Sequence, residues 1–181
     1  MTNKELQELI DEFLTKTHDD QIITIALEQN SLAEAVRIAI LSQDENKLLH
    51  PHQHRIGHQS LTNYYNNLSF HIKEIEGCKN FDKLYKALEG YKVKGIGKLT
   101  LYDIAIRIAT FMEQKPIASN MLPNKVYLHA GAKTGAERLL GRRVKRIEPK
   151  CEFSLLQKLS CNEIENFLCH YADKLSPVRE D

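Results

Sequence analysis

An all-α fold is predicted for this chain by three features: apolar residues recurring at helical spacing along most of its length, three capping boxes, and no convincing strand. The boxes are Thr2-Asn3-Lys4-Glu5, Ser31-Leu32-Ala33-Glu34 and Ser160-Cys161-Asn162-Glu163. In each, the hydroxyl and the carboxylate satisfy opposite orphan backbone donors, which places helix starts ahead of residues 3–15, 32–42 and 161–175. Another helix is expected over 20–29. Leu61, Tyr64, Tyr65, Leu68 and Ile72 place a longer one over about 60–76. Phe81, Leu84, Tyr85 and Leu88 form one apolar stripe, and Ile104, Ile108, Phe111 and Met112 form the next, on a helix over Leu101 to Met112. Pro123 is expected to seed a helix through Val126, Tyr127 and Ala130 before Gly131 and Gly135 interrupt it. Ile164, Phe167, Leu168, Tyr171 and Leu175 give the last helix a core-facing stripe.

The chain has 181 residues, 42 % hydrophobic and 27 % charged, enough for a full core. Its expected division is an N-terminal helical segment over 1–45, a His-rich linker over 46–59 and a main helical domain over 60–176. No apolar run approaches the roughly 18 to 20 residues that span a bilayer. The start, with Lys4 and four acids by Glu12, is unlike a secretion signal, so a cytoplasmic protein with no membrane partner is expected. Cys78, Cys151, Cys161 and Cys169 form no C-x-x-C pair and read as reduced, partly buried thiols.

The segment whose spacing implies a specific chemistry runs Tyr91-Lys92-Val93-Lys94-Gly95-Ile96-Gly97-Lys98-Leu99-Thr100, between two of the helices. Glycine reaches positive φ without steric cost, so Gly95 and Gly97 allow a sharp turn that presents bare N–H groups; Gly97 is expected at positive φ. Thr100 is expected to cap the second helix, with Asp103 at its third position, so that the positive end of the helix dipole points at the same spot. Such a turn suits an anion, and phosphate first.

Charge is partitioned along the chain in the same sense. The formal net charge is only +1, yet residues 1–50 carry 4 Lys/Arg against 10 Asp/Glu while residues 79–150 carry 16 against 6. Lys79, Lys83, Lys86, Lys92, Lys94 and Lys98 crowd the turn, and Arg138, Arg142, Arg143, Lys145 and Arg146 follow. A polyanion fits that footprint.

Two further clusters carry polar chemistry. His50, His52, His54 and His58 fall within nine residues, but no Cys or carboxylate completes a closed site among them, so no metal and no cofactor are expected. His129 and Lys133 stand at i and i+4 among Gly131, Ala132 and Gly135. Either they add a second phosphate contact, or the small residues mark a tight helix crossing and His129 makes a core hydrogen bond.

The stretch over 81–112, with Val93, Gly95-Ile96-Gly97 and Thr100 between apolar helices, resembles the helix-hairpin-helix motif of non-sequence-specific DNA-binding proteins. More loosely, residues 60–170 resemble the layout of the helix-hairpin-helix DNA glycosylases. That resemblance implies a catalytic Asp some twenty residues beyond the hairpin and, in bifunctional members, a lysine two residues after the second glycine. Leu99 stands at the lysine position, no Asp lies between Asp103 and Asp173, and the nearest counterpart of the P-x-D element is Pro123-Asn124. Asparagine is no general base, so the family's chemistry is not expected here.

The expected function is nucleic-acid binding, to duplex DNA without sequence preference, through Lys94, Gly95, Ile96, Gly97, Lys98 and Thr100, with His129, Lys133, Arg142 and Arg143 assisting. Two alternatives stand beside it. One is a divergent glycosylase or nuclease using His129 with Glu137 or Asp103. The other is an adaptor whose acidic N-terminal helices bind a protein partner.

Overall fold

The computed structural model describes residues 1–16, 20–43, 48–49 and 53–179. It is mostly helical, 62 %, with one two-stranded sheet among the described residues. The helices among the described residues are α1 (Asn3–Thr15), α2 (Gln21–Leu27), α3 (Leu32–Leu41), α4 (His58–Leu68), α5 (Ile72–Glu76), α6 (Phe81–Gly90), α7 (Lys98–Gln114), α8 (Ala130–Leu140) and α9 (Cys161–His170). None is long and apolar enough to cross a membrane.

The chain gathers into two compact units, one of residues 19–123 and one of residues 1–18 with 124–181. This grouping differs from the sequential division expected. The first fifteen residues pack with the C-terminal unit, where Leu6, Ile10 and Phe13 share a core with Phe153, Phe167 and Tyr171. Meanwhile α2 and α3 pack on α7. Within the expected linker, Gln53 is buried and its Nε2 donates to Asp103 Oδ2 at 3.1 Å, while His54, Arg55, Gly57, His58 and Gln59 are exposed.

Within the unit of residues 19–123, α7 is the central element. It is buried on nearly every side from Thr100 to Met112, as a helix wrapped by α2, α3 and α6 must be. Capping follows sequence at most starts. Asp20, Ser31 and Asn80 each accept a backbone N–H in the first turn of α2, α3 and α6. The box expected at Ser31 is half made, since the Glu34 carboxylate turns to Arg37 Nε at 2.9 Å. The single helix expected over 60–76 is two, α4 and α5, joined by a 3-10 turn over Ser69–His71, and His71 at φ −117° is too far from helical geometry to carry one helix into the next.

In the other unit, both remaining capping boxes are complete, at Thr2/Glu5 and Ser160/Glu163. The helix expected through Val126 and Tyr127 is instead β1 (Lys125–Tyr127), paired antiparallel with β2 (Ile147–Pro149) so that Val126 faces Glu148. Val126 and Tyr127 tolerate extended backbone, and the distant partners Glu148 and Ile147 opposite them make the strand pair. Strands were not expected at all. Gly131 and Gly135 do not interrupt a helix either. They lie inside α8 on the side that meets α9, where a Cβ on Gly131 would stand 2.6 Å from Cys169 Sγ and one on Gly135 would stand 2.0 Å from the Leu168 carbonyl oxygen. The final helix stops at His170 rather than 175.

Candidate nucleic-acid interface

Helix α6 ends at Gly90 and α7 begins at Lys98, so the seven residues 91–97 reverse the chain. Ile96 N–H donates to the Val93 carbonyl at 3.2 Å, closing a four-residue turn. Its third residue is Gly95, at φ +97°, the position and sign that a type II turn reserves for glycine. Gly97 corrects the expectation: its φ is −85° with ψ 171°, ordinary extended backbone, and it is the N-cap of α7. Thr100 is therefore not the cap but the third helical residue, buried, and Asp103 lies a turn deeper.

The consequence for α7 is specific. Its cap residue has no side chain, and no side-chain hydrogen bond closes its first turn, unlike α1, α2, α3, α6 and α9. The leading N–H groups of a helix have no partner within the helix. Here they sit at a surface where Lys94, Gly95, Gly97 and Lys98 are all exposed while Ile96 turns inward and is buried. Ile96 fixes the loop and the glycines bare its backbone. Tyr85 Oη adds a hydrogen bond to the Lys98 carbonyl at 3.4 Å, tying the two helices together at the turn.

The turn assignment makes a stability prediction. Gly95→Ala places a Cβ at positive φ and 3.0 Å from Ser60 Oγ, so it should cost ~1 to 2 kcal/mol. Gly97→Ala meets nothing within 4 Å at an ordinary φ, so its cost is only that of alanine at an N-cap, about 0.5 to 1 kcal/mol, below that of Gly95→Ala. Gly141 at φ +63°, with Pro177 Cγ 3.1 Å from its would-be Cβ, should also be more sensitive than Gly97. Thermal melts in which the Gly97 variant is the least stable of the three would refute this geometry.

The other candidates lie in the unit of residues 1–18 and 124–181. His129 is the N-cap of α8, 8 % exposed, and its Nδ1 stands 3.1 Å from Glu165 Oε1 on α9. It does not share an exposed face with Lys133. Of the two readings, the tight crossing with a core hydrogen bond is the one realised. Lys133 Nζ approaches Glu137 Oε1 at 3.8 Å on the outside of α8. Arg142 is paired with Glu152 and also donates to the Arg143 carbonyl, while Arg143 is exposed. Of the alternative catalytic set, His129 and Glu137 belong to this unit. The carboxylate on His129 belongs to Glu165, Glu137 Oε1 accepts from Val144 N–H at 3.4 Å, and Asp103 belongs to the other unit. Glu165 was missed in the sequence because it stands between apolar stripe positions of α9 like any surface acid.

Of the histidine cluster, His50 and His52 lie outside the described residues, and His54 and His58 are exposed. Among the described residues, no three His, Cys, Asp or Glu side chains gather as metal ligands. Cys78, Cys151, Cys161 and Cys169 are all free, and burial pushes the Cys78, Cys161 and Cys169 thiols above their ordinary value, towards the protonated, unreactive form. Comparison with known proteins finds no matching family model, no matching curated protein and no matching solved structure.

Proposed function

We propose that this chain binds nucleic acid, duplex DNA foremost, through the turn between α6 and α7, used as a helix-hairpin-helix. The observation that carries the reading is the exposed, uncapped start of α7 beside Gly95, with Lys94 and Lys98 on either side of the bared backbone. A phosphate placed there accepts from the leading amides of α7, meets the positive end of the helix dipole, and is flanked by two ammonium groups. Recognition through phosphates positions a protein without reading bases, so sequence preference should be low. An adaptor role for the acidic N-terminal helices gains less, because α2 and α3 spend their apolar faces on α7 and leave the turn uncovered.

The test is a salt titration of duplex binding by fluorescence anisotropy. Lys94→Glu with Lys98→Glu should weaken affinity strongly and flatten the slope of log K against log salt by about 1.8, since each phosphate contact contributes about 0.9. Gly97→Ala, whose methyl group meets nothing within 4 Å in the fold, should also bind less tightly, because that methyl group stands where the phosphate must approach the backbone. Unchanged slope and affinity in the double variant would remove the turn from the interface.

A further inference from the structure

Beside the turn, the unit of residues 19–123 carries a second surface with its own chemistry. Phe70 is 87 % exposed, the most exposed large apolar side chain among the described residues. A lone exposed apolar residue needs no explanation, but the segment that carries this one is tied down on both sides of it. Asn67 Nδ2 donates to the Tyr91 carbonyl at 2.7 Å. His71 stacks on the Tyr91 ring, centroids 4.0 Å apart and planes 20° apart, and Tyr91 Oη donates to Glu74 Oε2 at 2.5 Å. Three residues around Phe70 thus fasten its short 3-10 turn to Tyr91, the residue from which the α6–α7 reversal starts.

Tyr91 also lines a groove of about 890 Å³ along α5 and α6, together with Glu74, the acceptor of its hydroxyl. Cys78, Ala87 and Tyr91 give it an apolar lining, and Lys79, Lys83 and Lys86 line it as well. The three lysines are exposed, and among the described residues no ion pair engages them. An apolar floor with a row of free ammonium groups calls for a ligand that is both flat and anionic along its length. An unpaired nucleic-acid strand is such a ligand, because its bases stack on aromatic side chains while its phosphates follow a positive groove.

We infer that the groove and Phe70 together bind a single-stranded nucleic-acid segment continuous with the duplex held at the turn, so that the preferred substrate is a duplex with an unpaired tail. This inference rests on the reading of the turn as a nucleic-acid site. Tyr91 is shared by the groove and the reversal, which makes the two surfaces one path for a strand. Phe70 supplies the exposed ring for the first unpaired base, and Lys79, Lys83 and Lys86 carry the phosphates beyond it.

The experiment compares, by anisotropy, a blunt duplex with the same duplex bearing a thymidine tail, using the full chain, Phe70→Ala, Lys83→Ala with Lys86→Ala, and Lys94→Glu with Lys98→Glu. All of these side chains are exposed, and melting curves check that the variants fold. The parent should prefer the tailed duplex by about fivefold or more, the loss expected from one stacked base. Phe70→Ala and the Lys83/Lys86 variant should each erase most of that preference while changing blunt-duplex affinity far less. Equal affinity of the parent for both duplexes, with blunt binding still dependent on Lys94 and Lys98, overturns the groove alone. A tail preference that survives in both groove variants also overturns it. Blunt binding indifferent to Lys94 and Lys98 overturns the reading of the turn instead, and a tail preference lost in Phe70→Ala would then still uphold the groove. Binding to neither duplex overturns both.

Discussion

Gly135→Ala should unfold the unit of residues 1–18 and 124–181. The new methyl group would lie 2.0 Å from the Leu168 carbonyl oxygen and 2.9 Å from its carbon, both backbone atoms of α9. No rotamer relieves a contact with backbone, so α8 must move off α9 along the interface that buries Ala132, Ala136, Ile164, Phe167 and Leu168. Overpacking a well-filled core costs about 1 to 3 kcal/mol where side chains can shift, and more where they cannot. Gly131→Ala is the internal comparison, because its methyl group would meet Cys169 Sγ, the tip of a side chain, at 2.6 Å. Gly131→Ala should therefore be milder and should be largely rescued by Cys169→Ala, whereas no substitution of the Leu168 side chain should rescue Gly135→Ala. Urea titrations followed by circular dichroism would decide it. A Gly135→Ala protein with the parent's midpoint would mean that α8 and α9 do not cross where they are placed.

These two glycines show where the sequence was legible and where it was not. Periodicity and caps are local: Thr2, Ser31 and Ser160 act on amides three residues away and marked the starts of α1, α3 and α9, while the apolar stripes alone located α6 and α7. Gly135 depends on Leu168, distant in sequence, so a residue that breaks an isolated helix reads as an interruption when it is in fact the price of a close crossing. Val126 and Tyr127 fit a helix stripe as readily as a strand, and only Ile147 and Glu148 opposite them settle the choice. At the turn, the pattern G-x-G announced a reversal but not which glycine takes positive φ. Ile96 decides that: it must be buried, and burying it puts the left-handed residue at Gly95. Charge counts along the chain likewise do not reveal that α1 and α3 pack into different units.

Arg107→Ala should destabilise the unit of residues 19–123 by roughly 3 kcal/mol, the lower end of the range for breaking a buried ion pair, because Asp20 keeps some contact with solvent. Sequence gave no hint of this residue, which occupies an ordinary position between Ile106 and Ile108. Its guanidinium is almost completely buried on α7 and fastens the ends of two other helices. Nε donates to Asp20 Oδ2 at 2.6 Å, and the other oxygen of Asp20 caps α2 through Ile22 N–H at 3.0 Å. Nη1 donates to Ser42 Oγ at 2.6 Å and to the Ala39 carbonyl at 3.1 Å, where α3 ends in a left-handed Ser42 at φ 52°. One side chain therefore sets where α2 starts and where α3 stops. Nη2 is buried without a hydrogen-bond partner, so the arrangement is not an optimised store of stability. A cation that is costly to bury and incompletely satisfied should be replaceable when its anion is removed as well. Arg107→Met with Asp20→Asn keeps an acceptor at the α2 cap, fills the volume and removes both charges, and it should recover at least half of the loss seen in Arg107→Met alone. Chemical denaturation of the two single variants and the double variant measures the coupling directly. Additive losses would show that Asp20 and Arg107 act independently, and that α7 does not hold α2 through this side chain.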